Sequence, residues 1–258
     1  MSYRSIIMNR DDHVGVITLN RPEHMNTFST ELAEELNRGL VELDEDDSIR
    51  VVVVRGAGKA FSVGIDMSEF PGKTLMEYRE WVGEMERMSR VIADMKKPVI
   101  ASVHGYAVAN GAGLLAACDL AVVAEGTKIG ASAINVGLFC MGPAVPISRA
   151  IGRKRCMELL LTGDLIDAKE AEAWGLVNMV VPGNELEKST MAMAVKLASK
   201  SPLALQMGKK AFYGMADMEF KKALEHSNDA FAALCVTEDA KEGVDAFMNK
   251  RAPAWKEK

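Results

Sequence analysis

The chain has little of what marks a secreted, membrane-spanning or nucleic-acid-binding protein. Its four cysteines, Cys118, Cys140, Cys156 and Cys235, are scattered through 258 residues with no CxxC pair. That spacing points to reduced thiols rather than a disulfide or zinc framework, and no metal site is expected. No stretch approaches the ~18 apolar residues of a membrane span. The opening segment MSYRSIIMNRDD has no long apolar core, so no signal peptide is expected and a cytoplasmic location follows. Basic residues are not in excess: 31 Lys and Arg against 36 Asp and Glu leave a net charge of −5, unlike a typical nucleic-acid binder. Low-complexity segments and short-period repeats are absent as well.

What remains is an ordinary globular composition, 48% hydrophobic and 26% charged, long enough for one large domain or a domain with an appendage. Seventeen methionines suit adaptable core packing. The first half alternates strands and helices. HVGVITLN (13–20) reads as a strand ending at Arg21-Pro22, and Ser29 or Thr30 caps a helix with Leu32, Leu36, Leu40 and Leu43 on one face. Asp44 to Asp47 reads as a solvated turn. Val51 to Val54 is a continuous apolar run, as expected for a strand buried on both faces. A helix follows from about Leu75 to Met95, with Trp81, Met85, Met88 and Ile92 together, then strands at Val99–Val103 and Leu120–Ala124. Strand–helix alternation of this kind predicts an α/β core with crossover connections. Beyond residue 140 helices dominate, and the last ~60 residues predict an all-helical appendage too small to close a core alone.

Two glycine loops interrupt this pattern. RGAGKAFSVGID (55–66) follows the run Val51–Val54, and the Ala/Gly-rich VHGYAVANGAGLLAACD (103–119) follows Val99–Val103. Small residues there let a helix begin tight against a sheet with its first N–H groups free, which suits a developing oxyanion. Taken singly, either loop reads as a tight strand-to-helix turn. GAGK (56–59) lacks the GxxxxGK[ST] spacing of a phosphate loop, and Gly56-Ala57-Gly58 lacks the third glycine of a dinucleotide fingerprint.

Five segments in order resemble the crotonase (enoyl-CoA hydratase/isomerase) superfamily: ITLNRPEHMNTFS (17–29), KAFSVGIDMSEF (59–70), VHGYAVANGAG (103–113), LLTGDLIDAKEAEAWGLVNMVV (160–181) and GVDAFMNKRAPAW (243–255). The resemblance implies an α/β fold of repeated ββα units over residues 1–195, with a helical trimerisation region over 196–258. It implies a homotrimer or hexamer, and an acyl-CoA substrate with no cofactor beyond the coenzyme A carried in the thioester. It also implies that the backbone N–H groups of Ile65 and Asn110 form an oxyanion hole for the thioester carbonyl. Met25 and Lys59 would lie along the CoA. Phe247 and Lys250 match positions that supply an adenine contact and a phosphate partner from a neighbouring subunit, although as sequence Lys250 reads as a solvated helix charge.

The chain departs from the family at the chemistry. Hydratases of this family use two glutamates, and the matching positions here are Gly113 and Ala133. Neither side chain transfers a proton. Cys140 aligns with the place where other branches carry an aspartate, so it stands as a nucleophile or weak acid, or as a small buried hydrophobe. Ser132 and Asn135 are polar neighbours able to position a water. Asp66 and Asp119 read as structural acceptors, and His104 and Tyr106 as packing at a strand end. Three readings follow: an enoyl-CoA hydratase-like lyase, a hydrolase or substitution enzyme using Cys140, and a non-catalytic acyl-CoA-binding protein.

Overall fold

A computed structural model describes residues 3–256. Strands β1 (Ile6–Asp11) and β2 (Val14–Leu19) form an antiparallel hairpin, and β2 then pairs in parallel with β3 (Val51–Gly56). The sheet continues through β4 (Val99–Val103), β6 (Leu120–Ala124) and β9 (Met179–Val181), all parallel, in the order β1-β2-β3-β4-β6-β9. A second sheet joins β5 (Tyr106–Val108), β7 (Lys128–Gly130) and β8 (Leu165–Asp167).

The expected ββα repeat is present. β4 lies in the large sheet, β5 in the small one, and α3 (Asn110–Ala117) follows; β6, β7 and α4 (Met141–Thr162) repeat the arrangement. An earlier unit runs from β3 to α2 (Leu75–Asp94), where a lone bridge from Ser62 to Ala107 stands in for the second strand. Gly152, at φ +74 and ψ 169, breaks α4 into two helical pieces.

Val51 to Val54 are all buried because the sheet is covered on both faces. Val52 and Val54 pack with α1 (Thr30–Glu45) and α2, through Leu32, Leu36, Leu40, Leu43, Met85, Met88 and Ile92. Val51 and Val53 pack on the other side with Leu186, Ala194 and Ala198 of α6 (Leu186–Ala198). Ser29 caps α1, its side chain accepting from Leu32 N.

Some expectations are corrected. Asp44 and Glu45 complete the last turn of α1 instead of forming a turn, and Asp44 accepts from Lys97 N. Of the methionines, Met85, Met88 and Met95 are core residues, but Met76, Met141 and Met248 are exposed. Residues 195 and 196 fall inside α6, so sheet packing continues to Ala198 before the purely helical segment begins.

That segment comprises α7 (Pro202–Met215), α8 (Phe220–Cys235) and α9 (Glu238–Met248). Asp119 ties α7 to the sheet: it accepts from Val99 N, Lys209 Nζ at 2.7 Å and Tyr213 Oη at 3.0 Å. Phe220, Phe231, Val244, Phe247 and Met248 remain exposed on the outer helices.

Candidate functional site

The two glycine loops meet. Phe61 N donates to His104 O, Ser62 N to Tyr106 O and Val108 N to Ser62 O, so the loop after β3 is laced to the segment that leads into α3. The approach is close enough that a Cβ on Gly111 would run into Ser62 O. At the contact point Gly64 has φ +103, and a Cβ there would lie 2.9 Å from Ala109 Cβ and 3.8 Å from Asn110 N. Ala109 itself sits at φ +50 and ψ −116, a strained backbone for a residue with a Cβ. The strain turns the chain abruptly from β5 into α3.

Two amides beside the Gly64–Ala109 contact are left without backbone acceptors. Phe28 N donates to Gly64 O and Asp66 N to Phe28 O, which skips the intervening Ile65 N–H. Asn110 opens α3, where first-turn amides have no intrahelical acceptor. Among the described residues, neither the Ile65 nor the Asn110 amide has a backbone acceptor.

Surrounding polar groups fix the loops. Asn26 is buried, its Nδ2 donating to Ala57 O and Ala60 O, both at 2.8 Å, while Arg21 N donates to its Oδ1. Asp66 accepts from Ser68 N and Oγ and pairs with Arg21 at 2.9 Å, as expected of a structural acceptor. The Ser68 hydroxyl, then the Arg21 guanidinium, hold its carboxyl down to about 2. Glu69 receives Thr30 N, Thr30 Oγ1 and Trp81 Nε1, tying this loop to α1 and α2.

α2 also delivers a carboxyl that the sequence reading passed over. Asn110 Nδ2 donates to Glu86 Oε1 at 3.0 Å. Glu86 Oε2 is buried and has no hydrogen-bond partner among the described residues. Burial pushes this carboxyl up to about 7, against the opposing effect of the Asn110 bond. Gly142 makes room for it, since a Cβ there would overlap the carboxyl group. In the sequence, Glu86 lies outside the apolar set Trp81, Met85, Met88 and Ile92 that marks the buried face of α2. Helical spacing carries no signal for it, since the contacts that bury it come from Asn110 and Gly142 on other helices.

The remaining candidates are spread over the fold. Cys140, at the start of α4, is buried, and that burial pushes its thiol up while the Ala133 amide pulls the other way. Gly113 is packed against Pro143, 3.1 Å from where its Cβ would be. Asn135 donates to Gly163 O, and His104 Nε2 contacts Gly58 O. Met25, at φ +50, and exposed Lys59 lie in the two loops that Asn26 joins. Phe247 and Lys250 sit exposed at the far end of α9, which packs on α7 and α8. A separate cleft of about 610 Å³ lies between Arg55, His104 and Glu187 and includes neither free amide.

A model of the enoyl-CoA hydratase/isomerase family matches residues 9–258. A Mycobacterium tuberculosis protein named as a probable enoyl-CoA hydratase is 34% identical over 256 residues, 99% of either chain. The human enoyl-CoA hydratase domain-containing protein 3 is 36% identical over 219 residues, 84% of this chain and 71% of its own. Among solved structures, an enoyl-CoA hydratase from Mycobacterium smegmatis superposes with a TM-score of 0.95 at 37% identity, covering 98% of this chain and 99% of that one. The likeness spans the full α/β core and the helical tail.

Proposed function

The chain belongs to the enoyl-CoA hydratase/isomerase family, and on that premise we propose that it binds an acyl-CoA thioester with the carbonyl oxygen between the N–H groups of Ile65 and Asn110. The observation that carries this reading is the pair of amides without backbone acceptors, fixed by the strained turn at Ala109. Enolate-like chemistry places negative charge on that oxygen, and a fixed donor there is worth ~3–4 kcal/mol in comparable sites. Because the donors are backbone groups, the side chains at 65 and 110 are free to vary.

The reaction class is enoyl-CoA hydratase-like, with the thioester polarised by the amides. Met25 and Lys59 flank the CoA. The exposed residues Phe231, Val244, Phe247 and Met248 support burial of the tail against another copy, in a trimer or hexamer where Phe247 and Lys250 reach the neighbour's CoA. Sedimentation at micromolar concentration reads that assembly directly, and a monodisperse monomer would contradict it. A nucleophilic role for Cys140 loses ground, because its burial favours the neutral thiol over the reactive thiolate.

Calorimetry with free CoA, butyryl-CoA and crotonyl-CoA tests the binding reading. Saturable binding that strengthens with the acyl group is expected. No binding at millimolar ligand would overturn it.

A further inference from the structure

The chemistry proposed for this site requires a proton to move at carbon, yet position 113 is glycine and position 133 is alanine. The contacts of Glu86 lead toward both. It is bonded to Asn110, three residues before Gly113, and its carboxyl lies against Gly142, the neighbour of the Pro143 that packs on Gly113. It is also in electrostatic contact with Cys140, whose thiol meets the backbone of Ala133. One carboxyl from α2 therefore reaches the neighbourhood of both vacant positions.

We infer that Glu86 is the proton-transfer residue of this site, supplying from a helix the carboxyl that positions 113 and 133 lack. The inference rests on the acyl-CoA reading above. Three features single Glu86 out. Its Oε1 is held by the same residue whose backbone amide faces the carbonyl oxygen. Its Oε2 is buried with no partner among the described residues, leaving one oxygen free to exchange a proton. Among the described residues no basic side chain pairs with it: Asn110 from α3 is its hydrogen-bond partner, and Cys140 at the start of α4 is the titratable group that feels its charge. On the side of α2 facing α1, the polar contact is instead between Asn37 and Glu84.

The step balances without a co-reactant. The Glu86 carboxylate takes a proton from the acyl α-carbon, and the C–H electron pair forms the carbon–carbon double bond of the enolate. The carbonyl π pair moves to oxygen, where the Ile65 and Asn110 amides stabilise it. Exchange of that proton with solvent while it sits on the carboxyl, followed by delivery of the solvent-derived one to the α-carbon, gives isotope exchange. Delivering it to the γ-carbon of an unsaturated chain moves the double bond. A carboxyl poised near neutrality suits both directions of transfer.

The test is deuterium incorporation at the α-carbon of butyryl-CoA in heavy water, read by mass spectrometry, with calorimetric binding of the same ligand in parallel. Wild type is expected to exchange. Glu86→Gln is expected to bind butyryl-CoA within a few-fold of wild type and to lose exchange by ~10²–10⁴-fold. A wild-type rate limb near neutrality is expected to vanish in Glu86→Gln. Asn110→Ala keeps the backbone N–H but removes the bond favouring the charged carboxyl, so its limb is expected at higher pH. A merely structural role for Glu86 would move neither limb. Exchange in Glu86→Gln within a few-fold of wild type would overturn the inference. So would a wild type that binds butyryl-CoA but incorporates no deuterium, and that result would leave the binding reading intact. Absence of wild-type binding would instead overturn the acyl-CoA reading itself.

Discussion

Asn110 Nδ2 donates to Glu86 Oε1 at 3.0 Å, so the residue whose backbone opens α3 also anchors a buried carboxyl from α2. Backbone and side chain of one residue thus link the candidate oxyanion donor to the candidate acid–base group. The bond stabilises the carboxylate, but burial outweighs it and leaves Glu86 near 7.

That balance has a measurable cost in stability. A carboxyl at about 4.5 when unfolded and about 7 when folded favours the folded state below pH 4.5. The advantage is lost as pH rises through 7, when the buried group must ionise. Glu86→Gln removes the ionisation, so it is expected to raise Tm more at pH 8 than at pH 5, with a differential of roughly 2–3 kcal/mol at most. Thermal melts at the two pH values check this. An equal effect at both would show that the carboxyl titrates normally.

Placing carboxylates at positions 113 and 133, where the family resemblance puts two glutamates, is expected to fail. Pro143 Cα, Cβ and Cγ stand 3.1–3.3 Å from a Cβ at position 113, and a prolyl ring with its backbone has little room to yield. Gly113→Glu combined with Ala133→Glu is expected to lower stability by about 1–3 kcal/mol through overpacking, without raising crotonyl-CoA hydration. Hydration assays beside thermal melts decide the matter. A gain in hydration at unchanged Tm would show that α3 and α4 separate more easily than this packing implies.

The tail is held by a few charged contacts. Lys209 is nearly buried and pairs with Asp119 at 2.7 Å, while Tyr213 donates to the same carboxylate. Asp119→Ala leaves a buried ammonium unpaired and is expected to cost about 3–5 kcal/mol. Urea unfolding measures that loss. Asp119→Asn keeps one acceptor and is expected to lose less.

Much of this architecture was legible in the sequence for physical reasons. Val51 to Val54 signalled a strand covered on both faces, and Leu32, Leu36, Leu40 and Leu43 lie buried on one face of α1. β5, β7 and β8 escaped notice because each spans three residues, too few for a period-two pattern to register. Ile65 and Asn110 were reached through the family resemblance of the two loops, because the strained turn at Ala109 leaves no mark in composition or periodicity. Glu86 was invisible for a different reason. It is polar, and only the packing of α2 against α3 and α4 turns it inward, a long-range relation that helical spacing does not encode.

The central claim is that a thioester carbonyl lies between the amides of Ile65 and Asn110, and infrared difference spectroscopy of bound butyryl-CoA labelled with carbon-13 at the carbonyl measures this most directly. Two fixed donors polarise the C=O bond, so its stretching band is predicted to fall well below its position for the free thioester in water. A band that stays at the free-thioester position while calorimetry shows the site saturated would contradict the account.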